Sequence, residues 1–125
     1  MILANDFVHL NVHTEYSLLN NYNPMEKLID KAKKLNFKAM AITDYNNMYG
    51  VIDFYMRCKK NSIKPIIGCE ITLSYPNNEF YNVILLAKNN QGYKNLCKLV
   101  SNLYIVENRN REFITFDELE KFSKN

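Results

Sequence analysis

"KAMAITDYNNMYGVIDFYMRC", residues 38–58, joins two kinds of pattern within one short stretch. Residues 38–44 form an apolar run with no alternating wet face, which predicts a strand buried on both sides, as in a parallel sheet. Met48, Val51, Ile52, Tyr55 and Cys58 then recur at helical spacing, with Asn46 or Asn47 placed to cap the helix start. The intervening "NNMYG" holds too little glycine to be a phosphate-cradling loop. Strand followed by helix is therefore the unit to look for on either side.

Upstream, "FVHLNVH" (7–13) alternates, with Val8, Leu10 and Val12 on one face and Phe7, His9, Asn11 and His13 on the other. That predicts a first strand whose second face is partly polar. Pro24, Met25, Leu28, Ile29, Ala32 and Leu35 mark a helix ending near Asn36, with Asn23 and Glu26 placed as a capping box. Downstream, "IKPIIGCEITL" (63–73) predicts a third strand, "SYPNNEF" a turn, and "YNVILLA" (81–87) a fourth strand antiparallel to the third. Tyr93, Leu96, Cys97, Val100, Leu103 and Tyr104 predict another helix, and "TFDELEKF" opens a short last one with Thr115 and Glu118 as a second capping box. The alternation of strands and helices sets the class as α/β, with a parallel sheet covered by helices. No internal repeat, low-complexity segment or linker is apparent.

The bounds are consistent with this class. The chain of 125 residues suits one domain, 1–125, with no second domain, and its 47% hydrophobic content is enough for a core. Sixteen Lys and Arg against thirteen Asp and Glu give a charge of only +3, and the lysines are spread through helical patterns, which reads as a solvated surface. Cys58, Cys69 and Cys97 are odd in number and lack any CxxC pairing, so buried thiols fit better than a disulfide framework or zinc finger. No run approaches a membrane span, and a cytoplasmic location without membrane contact is expected.

Chemistry-bearing residues fall at the carboxyl ends of the predicted strands: Asn11 and His13, Asp44 and Tyr45, then Glu70. Strand ends are where α/β folds collect functional groups, so these residues should face one pocket. Residues two apart on a strand point the same way, so a His-x-His pair there would deliver two imidazoles to one metal. Here the first member is Asn11.

"FVHLNVHTEYSLL", "AMAITDYNNMYGVIDFY" and "IKPIIGCE" resemble the opening motifs of the polymerase-and-histidinol-phosphatase (PHP) domain family. The linking text is similar to the N-terminal region of the alpha-subunit family of bacterial replicative DNA polymerases (DNA polymerase III), from about residue 6 to about residue 105. The resemblance implies a partial PHP-type distorted (β/α)7 barrel, about its first half. It implies ligand positions at Asn11, His13, Asn20, Tyr45 and Glu70, with Asp44 as a hydrogen-bond acceptor beside them. His13 and Glu70 are the remnant metal-binding types. Asn11 offers a neutral amide oxygen, Asn20 lacks a carboxylate charge, and Tyr45 brings a bulky phenol, a group that rarely ionises near neutrality. Each difference from His, Asp and His is one first-position base change, as an A/T-biased genome would accumulate.

The resemblance therefore implies a structural and docking segment with an eroded metal site and no catalytic residue or cofactor of its own. The parent protein would perform DNA-directed DNA synthesis with magnesium held outside this chain. Implied partners are the remainder of the alpha chain, a proofreading exonuclease subunit, and DNA through the parent protein. The alternatives are a phosphoesterase or 3'-5' exonuclease using zinc or manganese at His13, Glu70 and residues downstream, and a shortened stand-alone binding protein. Read as ordinary structure, His13 and His9 are hydrogen-bonded histidines, Glu70 needs a partner such as His13 or a helix N-terminus, and Thr14 and Ser17 cap the turn after the first strand.

Overall fold

The structure is a computed structural model that describes residues 7–17, 22–105 and 111–124. The element order is α1 (Met25–Lys34), β1 (Ala39–Ile42), α2 (Val51–Lys60), β2 (Lys64–Ser74), β3 (Phe80–Leu86), α3 (Asn90–Ile105), β4 (Ile114–Thr115) and α4 (Phe116–Phe122). β1 is buried at all four positions, as its unbroken apolar run predicts. It pairs in parallel with β2, Ala39 opposite Lys64, and β2 pairs antiparallel with β3, Cys69 opposite Leu85. The short β4 joins the far end of β2 in parallel, Leu73 opposite Ile114, a pairing its two residues were too few to announce. The sheet is thus mixed, with a parallel β1–β2 step rather than parallel throughout.

Two apolar clusters lie against the sheet. Met25, Ile29 and Ala32 of α1 and Val51, Phe54 and Cys58 of α2 pack with Met40, Ile42 and Ile63. Leu96, Leu99, Val100 and Leu103 of α3 pack with Cys69, Ile71 and Ile114. The buried stripe of α2 is Val51, Phe54 and Cys58, so Ile52 (65% exposed) and Tyr55 (43%) lie outside it, unlike the face read from the sequence. Tyr104 is likewise exposed on α3.

Three local expectations are corrected. Residues 7–13 follow β1 without forming a regular ladder: Ala41 N–H donates to His9 O (3.1 Å) and Thr43 N–H to Val12 O (2.9 Å). Two residue steps, from Ala41 in β1 to Thr43, thus face three on the arm, an extra residue of the kind a bulge accommodates. The Val12 N–H turns to Thr43 Oγ1 (2.8 Å) instead of a backbone carbonyl, and Leu10 is left 47% exposed. α1 takes Pro24 as its N-cap with no side-chain cap bond, so the box expected from Asn23 and Glu26 is not formed; Glu15 Oε1 accepts from Met25 N–H (3.3 Å) instead. α2 begins after Gly50, and Asn47 serves the preceding loop, donating to Tyr16 O (2.7 Å) and accepting from Tyr49 N–H (3.2 Å). The Thr115–Glu118 capping box of α4 forms as its spacing predicts.

Candidate functional site

The site lies where the arm 9–17 crosses the carboxyl ends of β1 and the middle of β2. Two backbone bonds tie the chain after β1 to β2 there: Glu70 N–H donates to Asp44 O (3.1 Å), and Asn46 N–H donates to Glu70 O (2.8 Å). They place Tyr45 beside Glu70 as an isolated parallel bridge. β1 thereby hands its chain end to β2 at the residue with the carboxylate.

His13 and Glu70 meet directly, Nε2 against Oε2, with side chains 22% and 14% exposed. Glu70 thus has the imidazole partner anticipated for a carboxylate at the end of an apolar run. Asp44, 1% exposed, is turned the other way. Its Oδ1 accepts from Thr14 N–H (2.5 Å) and Ser17 Oγ (2.7 Å), and its Oδ2 accepts from Thr14 Oγ1 (2.6 Å). Thr14 Oγ1 also accepts from Tyr16 N–H (3.2 Å), and Ser17 Oγ accepts from Tyr45 N–H (3.1 Å). Thr14 therefore caps the turn, whereas the Ser17 hydroxyl is taken by Asp44 and Tyr45; the shared partner of both is Asp44, which clamps the arm to the end of β1.

The remaining positions are also engaged. Asn11 Oδ1 accepts from Thr43 Oγ1 (3.0 Å), so Thr43 joins the arm through side chain and backbone alike. The Tyr45 hydroxyl pairs with Thr72 Oγ1 (2.6 Å), which in turn donates to Asn82 Oδ1 (3.0 Å) on β3. Neither Thr43 nor Thr72 stood out in the sequence, since a threonine in a strand is common and only the fold reveals what it faces. Asn20 lies outside the described residues. Behind the site, burial pushes the Cys69 thiol up to about 12, so it stays protonated and donates to Asp44 O (3.2 Å).

The five positions thus separate into a His13–Glu70 pair, a buried Asp44 hub, and two side chains held by threonines. Asn11, Val12, His13 and Asn23 line an open depression of about 330 Å³. Among the described residues no three His, Cys, Asp or Glu side chains are grouped to share a metal ion. A cluster of divalent ions needs several anionic or imidazole donors, and the described donor set does not fit one.

The sequence matches the PHP domain family over residues 9–125, and the chain belongs to that family. Its curated relatives include the DNA polymerase III subunit alpha of Borreliella burgdorferi, 42% identical over 99% of this chain and 12% of that protein. The subunit of the same name from Bacillus subtilis is 46% identical over 76% of this chain and 9% of its own length. The chain thus spans about a tenth of the polymerase subunits it matches. Among solved structures, a candidate metal-dependent phosphoesterase of Bifidobacterium adolescentis superposes with a TM-score of 0.54 at 15% identity, over 76% of this chain and 31% of that one. An amidohydrolase of Chromobacterium violaceum, solved with sulfate and no metal, superposes with a TM-score of 0.58 at 14% identity, over 77% and 32%. At such identities these likenesses speak for the fold alone.

Proposed function

We propose that this chain is a structural and docking part of a bacterial replicative polymerase. In this reading, residues 1–125 form about the first half of a PHP-type distorted (β/α)7 barrel. The observation that carries it is the state of the ligand positions: His13 and Glu70 bond each other, and Asn11 and Tyr45 bond threonines. A pocket whose polar groups satisfy one another needs no ion to hold its shape. Asp44, the conspicuous carboxylate of the second motif, is spent on holding the arm.

The parent protein would then extend DNA by magnesium-dependent nucleotidyl transfer using residues outside this chain. This segment would pack against the remainder of the alpha chain and a proofreading exonuclease subunit, in the cytoplasm. Among the described residues no helix is long and apolar enough to cross a membrane.

The second reading is a zinc- or manganese-dependent phosphoesterase or 3'-5' exonuclease, favoured by the convergence of His13 with Glu70. Elemental analysis of protein purified without chelator, before and after soaking with manganese and zinc, separates the two. The docking reading expects no retained metal. A stoichiometric ion lost in His13→Ala or Glu70→Ala would overturn it in favour of the hydrolase.

A further inference from the structure

The two turns that deliver β1 and β2 are copies of one another. Residues 31–38 read KAKKLNFK and residues 57–64 read RCKKNSIK, so cations fall at the first, third, fourth and eighth positions of both. Ala32 and Cys58 at the second position are buried, and Phe37 and Ile63 at the seventh join the same core. Asn36 and Ser62 at the sixth both adopt left-handed backbone, φ 56 and 57. The bonding matches as well. Leu35 N–H donates to Lys31 O (3.0 Å) as Asn61 N–H does to Arg57 O (3.1 Å), and Phe37 N–H to Ala32 O as Ile63 N–H does to Cys58 O, both 2.9 Å. Asn36 N–H donates to Lys33 O and Ser62 N–H to Lys59 O. These are Schellman-type closures, repeated in sequence and in space.

The fold sets the copies side by side. β1 and β2 are parallel neighbours, Lys64 N–H donates to Lys38 O (2.8 Å), and α1 packs on α2. Lysines that look dispersed along the chain are gathered at the amino ends of the strands. His13, Asp44 and Glu70 lie beyond the opposite end of β1.

Lysine in a last helical turn commonly offsets the helix dipole. Here, however, backbone N–H groups already satisfy the carbonyls of residues 31–33 and 57–59, and Lys38 and Lys64 lie outside the helices. Among the described residues the ion pairs are His13–Glu70, Arg57–Asp53 and Arg111–Glu118, which leaves all seven lysines of the two turns without a carboxylate. All seven are exposed, and neither turn contains an acidic residue. Asp30, one residue before the first turn, shares the depression between α1 and α2 with Lys60.

We propose that this lysine-rich end is a contact for the phosphate backbone of duplex DNA, an inference that rests on the polymerase reading above. Lysines act as point charges on flexible stems, suited to phosphates rather than to base edges. Phe37, the one ring within the two turns, packs against the first cluster and the ring of His9 (centroids 5.4 Å), so the turns themselves present little stacking surface to single strands.

The test is fluorescence anisotropy of a labelled mixed-sequence duplex titrated with the native chain across a salt series. The comparison sets Lys33→Gln/Lys34→Gln/Lys59→Gln/Lys60→Gln against Lys94→Gln/Lys98→Gln/Lys121→Gln/Lys124→Gln, which removes equal charge from α3 and the C-terminal region. The expected result is salt-sensitive binding by the native chain. The first variant should bind about tenfold more weakly or worse, with a slope of log affinity on log salt shallower by about 2 to 4; the second should stay within about threefold. The double variant Lys38→Gln/Lys64→Gln tests the same face if the quadruple change impairs folding. Equal loss in both quadruple variants, or no salt-sensitive binding by the native chain, overturns the proposal. So does displacement by polyglutamate as effective as by DNA, which would assign the face to an acidic protein surface. Metal content is a separate measurement, so failure here leaves the docking reading standing.

Discussion

His13 and Glu70, 57 residues apart in sequence, meet through Nε2 and Oε2 at the crossing of the arm with β2. The pair is only partly exposed, so solvent screens it less than a surface ion pair. A double-mutant cycle with His13→Gln and Glu70→Gln, measured by urea unfolding near neutral pH, is expected to give a favourable coupling of about 1 to 2 kcal/mol. A coupling near zero would mean that the two groups are held by their backbones and not by each other.

Asp44 is the more costly residue to lose. Replacing it with alanine strands the Thr14 N–H and two hydroxyls in a site with almost no solvent, and unsatisfied buried donors cost about 1 to 3 kcal/mol each. Asp44→Ala is expected to lower stability by about 3 kcal/mol or more. Asp44→Asn should cost about 1 to 2 kcal/mol, since an amide oxygen can still accept at Oδ1 while its NH2 turns to Thr14 Oγ1. Chemical denaturation followed by far-UV circular dichroism distinguishes them; equal losses would contradict this assignment of acceptors.

Glu118 couples the last helix to pH. Burial pulls its carboxyl upward, but the bonds from Arg111 (2.6 Å) and from Thr115 outweigh that and hold it below the usual carboxylate range. A carboxyl lowered in the folded state contributes stability that is present above its unfolded pKa of about 4.3 and fades as pH falls through the folded value. Thermal melts of the native chain and Arg111→Gln should therefore differ most above about pH 5 and converge as pH drops below about 4. A constant difference across that range would separate Arg111 from the titration.

The fold was legible where local rules act alone. The unbroken run at 39–42 gave the buried strand, Thr115 and Glu118 gave the capping box, and "SYPNNEF" gave the antiparallel turn. The arm was misread because alternation at 7–13 takes no account of a partner, and the partner's Thr43 competes for the Val12 N–H. At the site, the spacing of motifs singled out His13, Asp44, Tyr45 and Glu70, but not how they divide. That division depends on Thr14 and Ser17 reaching Asp44 and on Thr72 reaching Tyr45, contacts between residues about thirty positions apart. The likeness of the paired turns is hidden in the sequence for a similar reason: it lies in the placing of cations and left-handed residues, and its meaning appears only once β1 lies beside β2.

The arm from His9 to Ser17 contains neither a helix nor a regular ladder, and its order is borrowed from β1 and Asp44. Segments tied down this way open at a free energy below that of global unfolding, as units of their own. Amide hydrogens of Val12 and Thr14 would then exchange with solvent well before those within β1. Each opening would part His13 from Glu70, uncover Asp44 and withdraw Val12 and Tyr16 from the flank of the first apolar cluster, leaving the second cluster packed. The polar centre would then be reached by lifting one wall, at a cost set by the arm's hydrogen bonds and its Val12 and Tyr16 contacts rather than by the stability of the whole fold.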